Sequence, residues 1–264
     1  MELRALGRSG LQVSPLGLGT TKFGRTQGLK VPETFELPSD RQIGELLERA
    51  RGFGVNLIDT APAYGTSEER LGALLSDRND WVIVTKAGEE FVDGRSHFDF
   101  SPSAVARSVQ RSLDRLRTDW LDVVLLHSSG DDLEILQSSG AVEALLELRE
   151  AGVIRACGAS TKTVAGGLHA VELCDVVMVA LNRDDRSQLP VIEAARESGV
   201  GVLVKKPLDS GHDADPGRAL ADALAVSGVT SVVVGTVDTG HWADDCAAVE
   251  RALAASACSP SGAR

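Results

Sequence analysis

The stretch "DTAPAY" (residues 59–64) places an aspartate and the chain's single tyrosine directly behind the apolar run Val55, Leu57, Ile58. Two further apolar runs end in Lys86 ("WVIVTK") and His127 ("LDVVLLH"). Singly, each residue has a structural use: Asp59 in satisfying turn amides, Tyr64 in covering a cavity mouth, Lys86 in carrying a buried strand out to water, His127 as a hydrogen-bonded cap. Jointly they complement one another. A phenol titrates near pH 10, a close ammonium favours phenolate and lowers that value, and reaching neutrality takes roughly 4 kcal/mol. Asp59 paired with Lys86 would keep the ammonium charged, and His127 could donate to a substrate oxygen and fix its angle. Together the four predict a proton donor aimed at a carbonyl oxygen. Protonating that oxygen is useful when a hydride arrives at its carbon, which calls for a nicotinamide cofactor.

For these side chains to meet, the runs that carry them must end at one place. Eight apolar, β-branched runs recur along the chain: residues 13–19, 55–59, 81–86, 121–127, 154–160, 176–182, 200–206 and 230–235. Amphipathic stretches lie between them. In "SDRQIGELLERARGFG", Ile43, Leu46, Leu47 and Ala50 recur at helical spacing, with Ser39 placed to cap and Gly52 and Gly54 to terminate. Near-continuous apolar strands alternating with helices imply a parallel sheet covered by helices. Eight such units close into a (β/α)8 TIM barrel of the α/β class, in which reactive groups gather at the C-terminal strand ends. "GLGTTKFG" lacks the helix start of a dinucleotide-binding Gly-rich fingerprint, which argues against a doubly wound sheet. The sequence predicts a single domain over residues 1–264, with a short hairpin-like N-terminal segment and a frayed tail from about residue 256.

Composition narrows the partners. Lys plus Arg number 27 against 38 Asp plus Glu, a net charge of -11, with no basic stripe; nucleic acid and anionic membrane are not expected as partners. No apolar stretch has the roughly 20 residues of a membrane span, and "MELRALGRSG" lacks a signal-peptide core, so a cytoplasmic location is expected. Cys157, Cys174, Cys246 and Cys258 are widely spaced and read as reduced packing residues, and no ligand set has metal-site spacing.

The chain resembles the aldo-keto reductases, barrel enzymes that reduce aldehydes and ketones with NADPH through an Asp, Tyr, Lys, His tetrad. The likeness covers nearly the whole chain: "GLGTTKFG" resembles the first strand and loop, "GVNLIDTAPAYGTSEERLG" the most diagnostic signature, "VIVTKAG" the lysine segment, "SVQRSLDRLRTDWLDVVLLH" the approach to the histidine, and "AGVIRACGAS" and "VGVLVKKPLDSG" the fifth and seventh strands. The resemblance implies catalytic roles for Asp59, Tyr64, Lys86 and His127, with Tyr64 the acid. It also implies cofactor contacts from Gly19, Thr20, Thr21, Ser160, Thr161, Asn182, Lys205, Lys206, Pro207, Leu208, Gly235, Thr236, His241 and Asp245. Ser160 and Asn182 fall where the family holds the nicotinamide carboxamide.

Three departures bear on the cofactor. Lys205 stands where family members usually stack an aromatic on the nicotinamide; Lys205 or Lys206 could instead meet the pyrophosphate as a point charge. About two dozen residues separate Lys206 from the last strand, too few for the long loop that folds over the cofactor in many members, so a more open site is expected. After the eighth strand, Thr236 and His241 lie among Asp238, Asp244 and Asp245 rather than basic residues, which keeps NADH possible beside NADPH. The segment "GEEFVDGRSHFDFSP" places Phe91 and His97 as candidates, with Phe23, to line a substrate pocket. The expected function is NAD(P)H-dependent interconversion of a small aldehyde or ketone and its alcohol, by a monomer or weak homo-oligomer. The alternative is a nicotinamide-nucleotide-binding redox sensor with little turnover.

Overall fold

The computed structural model describes residues 1–29 and 35–258, with side chains through residue 255. Eight parallel strands close into a barrel: β3 (Leu16–Gly19), β4 (Leu57–Asp59), β5 (Val82–Ala87), β8 (Leu121–His127), β9 (Ile154–Ser160), β10 (Val176–Ala180), β11 (Gly201–Lys205) and β12 (Ser231–Val234), in that order around the ring. The eight predicted runs and these strands coincide to within a few residues. A hairpin of β1 (Arg4–Ala5) and β2 (Gln12–Val13) precedes the barrel. Its Leu6, Leu11 and Val13 join the cluster of buried side chains inside the barrel and plug the N-terminal end.

Strand parity places the chemistry. The inner cluster contains Leu57, Val82, Val84, Val123, Leu125, Ala156 and Leu203, whereas Ile58, Ile83, Val124 and Leu126 face the helices. Side chains alternate along a strand, so the next inward positions toward the C-terminal end are Asp59, Lys86, His127, Gly158 then Ser160, and Lys205. The register sets Asp59 beside Val84 and His127 beside Ser160, which brings these ends to a common rim.

The outer layer is formed by α2 (Asp40–Gly52), α3 (Ser67–Leu74), α4 (Pro102–Leu116), α5 (Asp132–Ser138), α6 (Ala141–Glu150), α7 (Val164–Leu173), α8 (Leu189–Ser198), α9 (Pro216–Leu224) and α10 (Thr239–Cys258), while the short α1 (Thr21–Gly24) follows β3. Ser39 and Gln42 form a capping box at α2, whose Ile43, Leu46, Leu47 and Ala50 are buried as the periodicity predicts. The tail expected to fray from residue 256 is still helical through Cys258; residues 259–264 and the Cys258 side chain lie outside the described part. Cys157, Cys174 and Cys246 are free and buried. Among the described residues no helix is long and apolar enough to cross a membrane.

The segment after Lys86 is more ordered than the loop predicted there. It folds as an antiparallel hairpin of β6 (Glu89–Val92) and β7 (Arg95–Phe98) at the barrel mouth. Asp93 and Gly94 turn it with positive φ.

Candidate active site

Asp59 ends β4 and Lys86 stands near the end of β5, and the two are joined by a buried ion pair, Lys86 Nζ to Asp59 Oδ1 at 2.7 Å. Lys86 Nζ also donates to Thr60 O at 2.8 Å. Tyr64 ends a 3₁₀ turn (Pro62–Tyr64) over this pair, with its hydroxyl 3.5 Å from Asp59 Oδ2 and its ring centroid 4.7 Å from Lys86 Nζ. Gly65 makes this approach possible. Its φ is +62°, and a Cβ there would stand 2.0 Å from Gly24 O, so only glycine lets the turn lie against α1. His127 meets the Tyr64 ring edge-on, with centroids 6.2 Å apart. All four predicted residues therefore face one another.

The electrostatics differ from the sequence expectation at Tyr64. Burial pushes the phenol above its ordinary value; the Lys86 charge pulls the other way, Asp59 reinforces burial, and Thr21 and Lys86 donors do not reverse the balance. Burial outweighs the Lys86 charge, so the phenol keeps its proton and is neutral at pH 7. Burial also works against the Lys86 ammonium, yet Asp59 and Tyr64 outweigh it and raise Lys86 above its usual value.

Glu89, which the sequence reading did not single out, completes the cluster. Its Oε2 lies 2.8 Å from His127 Nδ1, and its Oε1 accepts from Ser96 Oγ at 2.6 Å. The contact with Nδ1 is short but off the line of the ring N–H, so Nδ1 is buried without an aligned hydrogen bond. Burial lowers His127, Lys86 and Lys205 add to the lowering, and Glu89 opposes them. Burial works against the Glu89 anion as well, but His127, Ser96 and Arg25 hold its carboxyl at about 2. Arg25, also missed, stacks its guanidinium 3.4 Å above the Phe91 ring and donates to Ala63 O at 3.1 Å, tying the hairpin to the Tyr64 turn. The only sequence signal for Glu89 was its place three residues beyond Lys86; its inward direction depends on a strand pairing that the sequence did not reveal.

The substrate candidates separate by hairpin parity. Phe91 shares the mouth-facing side with Glu89, half-buried beneath Arg25. His97 pairs with Glu90 on the opposite side, exposed, and lines a cavity of about 230 Å³ against α4 with Arg107, Ser108 and Arg111. It does not face the tetrad, because alternate residues of a strand point to opposite faces. Phe23 is fully buried among Leu16, Leu18 and Ile43 and offers no surface to a substrate. Its burial is what seats α1.

The cofactor candidates also divide. Ser160 and Thr161 are buried at the end of β9, and Lys205 Nζ donates to Ser160 Oγ at 2.8 Å and Thr161 O at 2.9 Å. Burial, with Lys206, Lys86 and Lys162 nearby, lowers Lys205 to about 7. Part of its surface stays accessible, but the crowding of neighbouring atoms and cations governs its charge. Lys206 is exposed with φ +55°, Pro207 is buried and Leu208 half-buried. The Asn182 amide is largely committed to its own loop: Oδ1 accepts from Asp184 N and Asp185 N, and Nδ2 reaches Lys206 O at 3.5 Å. Thr20 is fully buried, donating from Oγ1 to Asp59 O and accepting from Ser67 Oγ, so it braces Asp59 from behind and has no free face for a ligand. Thr21 lies beside the Tyr64 hydroxyl. Gly19 and Gly235 face each other across β3 and β12; a Cβ on Gly19 would meet Gly235 N at 3.4 Å. Thr236 Oγ1 accepts from Asp238 N. Asp238 Oδ1 in turn accepts from the α10 amides of Gly240 and His241 at 2.7 and 2.8 Å. His241 is exposed, and burial raises Asp245 to about 6.

The donor set fits a nicotinamide nucleotide. Thr161 Oγ1 is buried without a partner, and Lys205 makes hydrogen bonds but no ion pair with a carboxylate among the described residues, so the rim has polar capacity left for an anionic, amide-bearing ligand.

The Aldo/keto reductase family model matches residues 15–215. The chain belongs to this family. This aldo-keto reductase is 48% identical to a Pseudomonas aeruginosa protein assigned to the same enzymes, whose solved structure superposes with a TM-score of 0.88 over 95% of each chain. It is 30% identical over 225 residues to L-galactose dehydrogenase of Arabidopsis thaliana, covering 80% of this chain and 66% of the plant protein. It is 29% identical over 237 residues to D-threo-aldose 1-dehydrogenase of a Pseudomonas species, covering 78% and 69%. The (β/α)8 barrel and the oxidoreductase class are those of the family.

Proposed function

We propose that the protein interconverts a carbonyl and an alcohol of a small hydroxylated molecule, with nicotinamide nucleotide as the redox partner and Tyr64 as the proton-transferring residue. The observation that carries this reading is Lys86, whose ammonium is 2.7 Å from Asp59 and 4.7 Å from the Tyr64 ring centroid. When bound, the nicotinamide supplies or accepts hydride at the substrate carbon. Tyr64 holds the proton that the substrate oxygen takes up during reduction and receives it back during oxidation. Lys86 stabilises the phenolate left behind, and Asp59 keeps Lys86 charged. His127 borders the same space and orients the substrate. The names of L-galactose dehydrogenase and D-threo-aldose 1-dehydrogenase support an aldose as substrate, reacting at its C1.

Charge supports NADH over NADPH. The amides at the start of α10, which would otherwise be open to an extra phosphate, are filled by the Asp238 carboxylate, and Asp245 stands one turn further on. Lys205 is the cation placed to meet the pyrophosphate.

The test is Tyr64→Phe, with cofactor binding followed by tryptophan fluorescence. Turnover of an aldose panel should fall by roughly 10²-fold or more while NADH affinity stays nearly unchanged. Retained turnover overturns the role of Tyr64. Binding of nicotinamide nucleotide by the native protein without turnover of any carbonyl or alcohol would favour the redox sensor.

A further inference from the structure

His127 has two ring nitrogens in different surroundings. Nδ1 is buried, with Glu89 Oε2 2.8 Å away as its only close polar neighbour among the described residues. Nε2 has no hydrogen-bond partner among them and keeps accessible surface. A nitrogen lone pair and an ionised carboxylate oxygen repel at that separation, so a neutral imidazole can keep the contact only with its proton on Nδ1. A small rotation of the ring then aligns the N–H with Oε2. The hairpin holds the carboxylate in place: Ser96 Oγ donates to Glu89 Oε1 from the paired strand, and the Arg25 guanidinium clamps Phe91 on the same side.

We propose that Glu89 is the positioning residue of His127, fixing its single proton on Nδ1 so that Nε2 meets the substrate as a hydrogen-bond acceptor. This reverses the donor role expected from sequence, and it deepens the proposed function, on which it rests for the identity of the reacting site. An acceptor at that point suits a substrate with a second hydroxyl beside the reacting carbon, as the C2 hydroxyl of an aldose is. The fixed carboxylate beside it disfavours substrates carrying an anion near the reacting carbon. The single proton of the reacting oxygen passes to and from Tyr64, and Nε2 takes the hydrogen bond of the neighbouring hydroxyl instead.

The groups that face His127 are Glu89 on the hairpin, Lys86 on β5, Lys205 on β11 and Tyr64 on the 3₁₀ turn. Glu89 is the anion opposing the two lysines. Its removal therefore lowers the pKa of His127 further and frees the tautomer.

The decisive experiment is ¹⁵N NMR of histidine-labelled full-length protein, with the His127 signals identified by their loss in His127→Asn. At pH 8 the native protein should show a protonated Nδ1 and a bare Nε2. Glu89→Gln, whose side-chain amide can donate to Nδ1, should move the population toward the Nε2–H tautomer and shift the imidazole titration to lower pH. Its kcat/KM should fall by about tenfold or more, with the acid limb of the pH profile displaced the same way. Glu89→Asp should restore part of the Nδ1–H signal, and circular dichroism reports whether each variant is folded. A dominant Nε2–H tautomer in the native protein overturns the proposal, as does an Nδ1–H tautomer that Glu89→Gln leaves unchanged. The tautomer is read without turnover, so an inactive protein with the expected Nδ1–H signal would count against the proposed reaction and not against the Glu89 assignment.

Discussion

Lys86 Nζ and Asp59 Oδ1 are 2.7 Å apart, and both side chains are almost fully removed from solvent. A pair so placed stabilises only while both charges are present, because either one alone is a buried, unpaired ion. Asp59→Asn should therefore cost about 3–5 kcal/mol of stability and lower kcat by roughly 10²-fold, measured by urea denaturation and steady-state kinetics. The folded value of Lys86 lies above its ordinary 10.5. The stabilisation is thus complete below that pH and is lost as pH rises through the folded value. A variant as stable as the native protein at pH 7 would show that the pair is dispensable.

Lys205 has the opposite sign. Its folded value of about 7 lies below the ordinary 10.5, so the cofactor-free fold carries a penalty below pH 7 that fades as pH rises between the two values. Lys205→Met should raise Tm at pH 6 and lose that advantage toward pH 10. If the ammonium meets the pyrophosphate, the same variant should weaken NADH binding by about tenfold and flatten its salt dependence. Unchanged affinity at pH 6 would remove Lys205 from the cofactor site.

What the sequence revealed and what it hid follow from the range of the interactions. The ends of β4, β5 and β8 were legible because strand period and barrel topology are local patterns repeated eight times, and parity alone turns Asp59, Lys86 and His127 inward. The Ser39–Gln42 capping box is equally local. Glu89 and His97 were not separable, since their facing depends on the β6–β7 register, and one residue of slip exchanges them. Phe23 read as a pocket aromatic because a short helix after a strand gives no period to show which side is buried. The charge balance at Tyr64 differs from the sequence expectation because the sequence places Lys86 nearby but cannot weigh its charge against burial of the phenol.

Cofactor choice should respond to Asp245. Its folded value is raised to about 6, so above that pH a buried anion faces the region assigned to the adenosine end. Asp245→Asn should improve NADPH affinity relative to NADH by roughly three- to tenfold at pH 8. It should also raise Tm above pH 6, where the native aspartate is charged. The native NADPH-to-NADH ratio of Kd should narrow between pH 8 and pH 5.5 as Asp245 and the 2′-phosphate take up protons, and the variant should retain only the phosphate's share. Equal ratios in both proteins at both pH values would place the 2′-phosphate elsewhere.

Arg25 decides whether the hairpin stays over the mouth. Its guanidinium is 3.4 Å from the Phe91 ring centroid and bonds Ala63 O in the Tyr64 turn, so one side chain joins the segment carrying Glu89 to the one carrying the phenol. The stacking contributes on the order of 0.5–2 kcal/mol, enough to hold a two-stranded hairpin with few other apolar contacts. Arg25→Ala should accelerate amide hydrogen exchange in residues 89–98 while leaving the barrel strands protected, and raise KM more than it lowers kcat. Arg25→Lys should rescue little, since an ammonium lacks the planar face and the second donor direction that the site uses. Unchanged exchange in Arg25→Ala would mean that the other contacts of the hairpin, Glu89 with His127, Glu90 with Arg111 and Phe98 with Phe100 and Lys162, suffice to hold it, and KM would then be insensitive to Arg25.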